Sequence, residues 1–91
     1  MIQLYEIHIT CKTSDAEVAK IVATKFHWKT SEILRDPVLG NKAFFYLTKY
    51  ADNLDTAKLF IEEAVIELLL VHNVDVLREK IEHIVHDVRY K

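Results

Sequence analysis

Two short polar patterns contain the residue types that could bind an anion. They are E-x-H-x-T and R-x-K-x-E, and their polar members are Glu6, His8, Thr10, Arg78, Lys80 and Glu82. Arginine offers a planar fork of donors and lysine a point charge, and both suit phosphate or carboxylate. Because histidine can exchange a proton near neutral pH, His8 is the candidate catalytic residue if the site is hydrolytic.

These patterns meet only if both segments are strands that lie side by side in one sheet. Residues 2–11 alternate between apolar and polar, which predicts a half-buried strand. Residues 42–50 are rich in aromatics and predict another strand, whose Tyr46 and Thr48 would flank the patterns on the same face. The sequence therefore predicts a small anionic or phosphorylated ligand on an open sheet face. The alternative is that cross-strand pairs of Glu, Lys and Arg only solvate that face.

Helix signals follow the first strand. Ser14 and Glu17 have the spacing of a capping box. Apolar residues then recur at helical spacing as far as about His27, at positions Val18, Ile21, Val22 and Phe26. Residues 28–35 predict a strand more weakly, and residues 36–41, which hold the single Pro and the single Gly, predict a turn.

A second helix is predicted after the aromatic strand. Asp52 or Asn53 can cap its first turn, and the helix continues to about His72. Its expected core stripe is Ala57, Ile61, Ala64, Val65 and Leu68. The opposite side of the helix carries three aliphatic residues, Leu59, Ile66 and Leu70, which predict a contact surface for a second copy or a partner. The alternative is an ordinary helix surface with some exposed apolar atoms.

The last segment is ambiguous between helix and strand. Leu77, Ile81, Ile84, Val85 and Val88 have helical spacing. A strand over residues 74–83 would instead pair with the first strand, with Leu77 and Ile81 pointing inward, and would close a β-α-β-β-α-β sheet. We therefore predict one domain over residues 1–91, a ferredoxin-like α+β sandwich with an antiparallel sheet and two helices on one face.

The same two segments resemble a group of small bacterial proteins of unknown activity. These pair an E-x-H-x-T strand with an R-x-K-I-E strand, and the matching residues here are YEIHIT at 5–10 and REKIE at 78–82. The resemblance implies the βαββαβ order over the whole chain and a strand for the last segment. It implies no reaction.

Two other functions are weighed against anion binding. The first is a non-catalytic module that self-associates. The second is RNA binding, because residues 42–49 resemble a strand of the RNA-recognition motif in which Phe44 and Tyr46 would stack on bases. Phe45 and Lys49 depart from that motif, and the pI of about 6.2 lacks the basic footprint of a nucleic-acid-binding domain.

The composition limits which cellular compartment and which partners we expect. The chain has 91 residues, a formal net charge of −2 and a single cysteine, Cys11. It cannot form an internal disulfide, which favours a reducing compartment. The N-terminus lacks the pattern of a signal peptide, and no apolar run approaches the roughly 20 residues of a membrane span. We therefore expect a cytoplasmic protein with no membrane partner and no metal ligands; the cofactor, and whether the chain is an enzyme, stay open.

Overall fold

The computed structural model describes residues 2–36 and 42–86. Its main elements are β1 (Ile2–Lys12), α1 (Ala16–Phe26), β2 (Lys29–Asp36), β3 (Lys42–Ala51), α2 (Leu54–Ile66) and β4 (Val76–His86). The strands form one four-stranded sheet in the order β2-β3-β1-β4, and all neighbours are antiparallel. The predicted α+β architecture, an antiparallel sheet with two helices, is confirmed. Residues 37–41 of the predicted turn lie outside the described residues.

Two short helical segments depart from the predicted series of elements. A 3₁₀ turn (Thr13–Asp15) precedes α1, and a π-helical turn (Glu67–Val71) continues α2. Lys25 of α1 forms an ion pair at 3.0 Å with Glu67 of the π-helical turn, which ties the two helices together at one end. None of the helices in the described residues is long and apolar enough to cross a membrane.

The capping box predicted for α1 does not form. Asp15 occupies the N-cap position without a side-chain hydrogen bond, and Glu17 instead pairs with Lys20 at 3.7 Å. The predicted end of the helix is confirmed, because His27 adopts a left-handed conformation (φ 63°) and its amide donates to the carbonyl of Ala23. Residues that compete for the first turn of a short helix are hard to rank from sequence alone.

The second helix follows its prediction closely. The side chain of Asn53 accepts a hydrogen bond of 2.8 Å from the Thr56 amide, as expected of an N-cap. Its predicted core stripe is buried or partly buried, at Ala57, Ile61, Ala64, Val65 and Leu68. In α1 the stripe is less regular: Ile21 is 60% exposed, contrary to prediction, and the small residues Ala19 and Ala23 are buried instead.

The last segment is a strand as far as His86, which rejects the helical alternative over that range. Ile81 packs against the core as predicted. Leu77, however, is 41% exposed. The reason is a register shift between β1 and β4: Thr10 faces Arg78 whereas Cys11 faces Val76, so Leu77 has no partner across the strands.

A charged residue on an inner strand connects the sheet to both helices. Lys49 of β3 donates a hydrogen bond of 2.6 Å to the carbonyl of Phe26, at the end of α1 where a cation is favoured. Its ammonium also lies 3.8 Å from the centre of the Phe60 ring on α2. Lys49 thus joins the sheet to both helices. The centre of that face is apolar, with Ile7, Ile9 and Leu47 fully buried. Glu32 and Glu79 lie on the same side, on the two outer strands.

The π-helical turn offers a matched test of the core. Leu68 is fully buried whereas Leu70 is 80% exposed. Replacing Leu68 with alanine should lower the free energy of unfolding by about 2–5 kcal/mol, because it removes buried methyl groups and leaves a cavity. Replacing Leu70 with alanine should change it by no more than about 0.5 kcal/mol. Urea denaturation of both variants checks this, and equal effects would contradict the packing of α2 on the sheet.

Candidate anion-binding site

The sheet brings the two polar patterns side by side. β1 is an inner strand with β3 on one side and β4 on the other, and residues in register share a face. Three rows therefore cross β3, β1 and β4 in that order: Tyr50–Glu6–Glu82, Thr48–His8–Lys80 and Tyr46–Thr10–Arg78. All eight residues predicted for the ligand site occur in these rows.

A depression of about 170 Å³ lies on this face. Its lining residues come from all four strands and are His8, Ser31, Ile33, Tyr46, Thr48, Arg78 and Lys80. Since pockets for drug-sized ligands span roughly 300–1,000 Å³, this one suits a single phosphoryl or carboxylate group. Sequence reasoning missed Ser31 and Ile33. The weak strand prediction for residues 28–35, continued in alternation beside β3, was the signal that could have found them.

His8 is held from both sides of its ring. Its Nε2 lies 3.0 Å from Oε1 of Glu6, and its Nδ1 lies 3.2 Å from the hydroxyl of Thr48. Because an ionised carboxylate only accepts hydrogen bonds, Nε2 carries the proton that faces Glu6. In the neutral ring, Nδ1 then accepts from the Thr48 hydroxyl. Both ring nitrogens are therefore engaged within the protein, and the imidazole is fixed in orientation beside the depression.

Arg78 is the cation whose hydrogen bonds are incomplete. Its Nε is buried and has no hydrogen-bond partner among the described residues. Over the same residues, its guanidinium makes no ion pair either. A buried donor without a partner is costly, more so when it carries charge. An oxygen of an anionic ligand in the depression would complete this hydrogen bond after a turn of the Arg78 side chain that uncovers Nε.

Lys80 already has a partner on its own strand. Its ammonium lies 2.9 Å from Oε1 of Glu82, and both side chains are about half exposed. The hydrogen bond and positive charge of Lys80 hold the pKa of the Glu82 carboxyl below its usual value, and His8 adds to the effect. Lys80 can therefore bind an anion in the depression only if its ammonium contacts the anion and Glu82 together, or if its side chain turns away from Glu82.

Two residues predicted to offer polar groups to a ligand are covered. Thr10 is completely buried and Tyr46 is only 4% exposed, although both lie on the open face. Thr10 stands in register between Tyr46 and Arg78, whose longer side chains flank it. The hydroxyl of Thr10 has no hydrogen-bond partner in the described residues. Glu6 and Glu82 lie in the neighbouring row and not in the depression itself.

The carboxylates and His8 are also near enough to consider a metal ion. One ligand atom from each of Glu6, His8 and Glu82 falls within 4.8 Å of the others. Carboxylate and imidazole are ligands for several divalent ions. However, the ammonium of Lys80 already lies beside Glu82 and supplies positive charge where the metal would sit. The ion pairs of Glu82 with Lys80 and of Glu6 with His8 already account for the closeness of these groups.

The single cysteine is no candidate nucleophile. Cys11 is buried on the helix-facing side of β1. Burial and the nearby charge of Asp15 raise the pKa of its thiol to about 11. Since the thiolate is the reactive form, the sulfur is inert at neutral pH.

The Lys80–Glu82 contact gives a direct electrostatic test. Replacing Lys80 with methionine removes both the donor and the charge that lower the pKa of Glu82. We expect the carboxyl of Glu82 to protonate at a higher pH in that variant, as followed by NMR of side-chain carboxyl carbons. Replacing Lys12, whose own pair with Asp75 is at 3.8 Å, is the matched control and should leave the Glu82 titration in place. An unmoved Glu82 titration in the Lys80 variant would refute the contact.

Comparison with known proteins identifies no relative of this chain. No protein-family model, no curated protein and no solved structure matches the chain. What the depression can bind therefore has to be worked out from its own side chains.

Proposed function

We propose that this chain is a ferredoxin-like binding domain that holds the phosphoryl or carboxylate group of a small ligand in the depression beside β1. The β-α-β-β-α-β order of its main elements supports that fold class. The single observation that carries the function is the buried Nε of Arg78, which lacks a partner within the described residues and belongs to a side chain that lines the depression.

The neighbours of Arg78 supply what an anion needs. Lys80 adds a second positive charge, and the hydroxyl of Ser31 adds a neutral donor. The Thr48 hydroxyl donates to Nδ1 of His8 and is not counted among the donors to the ligand. Arginine and lysine together recognise phosphate by fork geometry and by charge. The small volume of the depression limits the bound part to one such group, and the rest of the ligand extends over the sheet.

Two carboxylates restrict the kind of ligand. Glu6 and Glu82 face each other across β1 and β4, one row away from Lys80. A ligand with negative charge at both ends would be repelled by these carboxylates, whereas hydroxyl or amino groups could donate hydrogen bonds to their oxygens. The proposed ligand is therefore a small molecule with one anionic group and a polar, uncharged or cationic remainder.

Binding is favoured over hydrolysis. For His8 to act as a general acid or base, one of its ring nitrogens must reach the ligand. Both nitrogens are engaged, one by Glu6 and the other by Thr48. His8 therefore shapes the wall of the depression and contributes to its charge. It could act in catalysis only if its ring turned so that one nitrogen reached the ligand.

RNA binding is the least supported alternative. It requires Phe44 and Tyr46 to present their rings to bases. Tyr46 is buried, and a buried ring offers no surface for stacking. The basic groups on this face are also balanced by Glu6 and Glu82.

A reducing compartment such as the cytoplasm suits the proposed role. The single thiol, Cys11, is buried and free, so the fold does not depend on a disulfide. Its raised pKa also protects it from oxidation, because oxidants react with the thiolate.

Self-association is the second candidate function. The side chains of Leu59, Ile66 and Leu70 are 62%, 48% and 80% exposed, which is a large apolar surface for a small domain. Glu62 and Glu63 lie among them, however, along the same shallow surface as Leu59 and Ile66. Two copies packed through this surface about a two-fold axis would bring those carboxylates together, which opposes the contact.

The anion proposal is tested by calorimetric titration with inorganic phosphate. Replacing Arg78 with glutamine removes a charged donor and should weaken binding by about 10- to 100-fold, the usual size of a hydrogen bond to a charged group. Replacing Lys58 with glutamine removes the same charge from the exposed surface of α2. It should change affinity by less than about twofold, because distant surface charges are screened.

Two outcomes would count against the proposal. If the Arg78 and Lys58 variants lose affinity equally, the affinity for phosphate depends only on the net charge of the protein. If the wild-type chain takes up neither phosphate nor a small carboxylate such as acetate, the depression is not an anion site.

A further inference from the structure

We propose that two copies of this chain pair through the open edge of β4, antiparallel, with Ile81 of one copy opposite Ile81 of the other on a two-fold axis. The two four-stranded sheets would then join into one continuous sheet. This interface lies apart from the exposed surface of α2 and does not require the depression to be occupied.

The two edge strands differ mainly in length and in their charge pattern. Both edges expose polar residues and contain a register shift. β2 has eight residues, whereas the charges of β4 lie on both sides of an uncharged centre, Ile81. β4 is 11 residues long, and its outer side pairs with no strand of the described chain. It also exposes two apolar side chains, Leu77 and Val85, at 41% and 50%.

The register follows from charge and length. In an isologous antiparallel pair one residue faces its own copy across the axis. Centring the axis on Glu79, Lys80 or Glu82 would set like charges directly opposite each other, which is destabilising. Ile81 carries no charge, and it is the midpoint of β4 (Val76–His86), so centring on it pairs the strand along its full length.

With Ile81 on the axis, the flanking residues become complementary. Lys80 of each copy faces Glu82 of the other on the open face, and this happens twice. Leu77, the extra residue at the register shift, comes level with Val85 of the other copy, so two exposed apolar residues approach each other at each end of the pair. One strand sequence thus supplies both partners of every favourable pair, which is what a self-complementary edge requires.

An apolar groove of about 590 Å³ lies next to the same edge. It runs between α2 and β4 and is lined by Lys58, Ile61, Glu62, Val65, Ile66, Glu79 and Ile81. Because Ile81 belongs to both the groove and the axis, a second copy would extend the floor of the groove across the interface. This continuity favours the β4 edge over the outer surface of α2, where Glu62 and Glu63 oppose self-packing.

The interface is tested by charge exchange, followed by sedimentation over a concentration series in phosphate-free buffer. Replacing Lys80 with glutamate sets two carboxylates against each other across the axis and should weaken dimerisation by at least about tenfold. Adding Glu82→Lys to that variant reverses both members of each pair and should restore the dimer. Lys20→Glu, an equal charge reversal on the exposed surface of α1, is the control and should leave the dimer intact.

Three results would overturn the proposal. The first is a wild-type chain that stays monomeric at high concentration. The second is a dimer that survives Lys80→Glu but dissociates on Leu70→Glu, which would place the contact on α2. The third is a double variant that stays as monomeric as the single one. The far-ultraviolet circular dichroism of each variant confirms that the fold is kept, and binding of phosphate plays no part in any of these outcomes.

Discussion

Backbone pairing between β1 and β4 is the constraint on which the rest of the molecule depends. It sets His8 opposite Lys80 and Thr10 opposite Arg78, and the same ladder sets Ile7 opposite Ile81. Because side chains alternate, a slip of one residue would turn every side chain of β4 to the other face. The core and the depression are therefore specified together: the register that buries Ile81 is the register that brings Arg78 and Lys80 beside His8.

One face of the sheet stabilises the fold, and the other face carries the proposed binding site. The helix-facing side holds the buried aliphatic core, and its inner strands carry one charged residue there, Lys49, which contacts the end of α1 and an aromatic ring. The other side holds the charges, and most of them are paired there, as in His8 with Glu6 and Lys80 with Glu82. Arg78 has a buried Nε without a partner among the described residues, and an incomplete hydrogen bond on a charged group is what an anionic ligand can relieve.

Alternation in the sequence predicted the first strand and the rows of polar residues, and helical spacing predicted the helices. The last strand was ambiguous and was predicted because it would close the sheet beside the first strand. These patterns could not predict features that depend on the size of neighbours or on local irregularity. The burial of Thr10 follows from the long side chains beside it, and the exposure of Leu77 follows from a register shift. Ser31 was missed because the polar strand that carries it has only a weak pattern. The unpaired Nε of Arg78 requires coordinates, since no sequence pattern reports which donors lack acceptors.

If Arg78 binds the anion, its own Nε–H group reports on the binding directly. In a protein labelled with nitrogen-15, the Nε–H signal of Arg78 should shift and exchange more slowly with water as inorganic phosphate is added, because a new acceptor completes its hydrogen bond. Signals from exposed cations such as Lys58 should move little. An Arg78 Nε–H signal that stays unchanged while phosphate saturates the protein would contradict the claim.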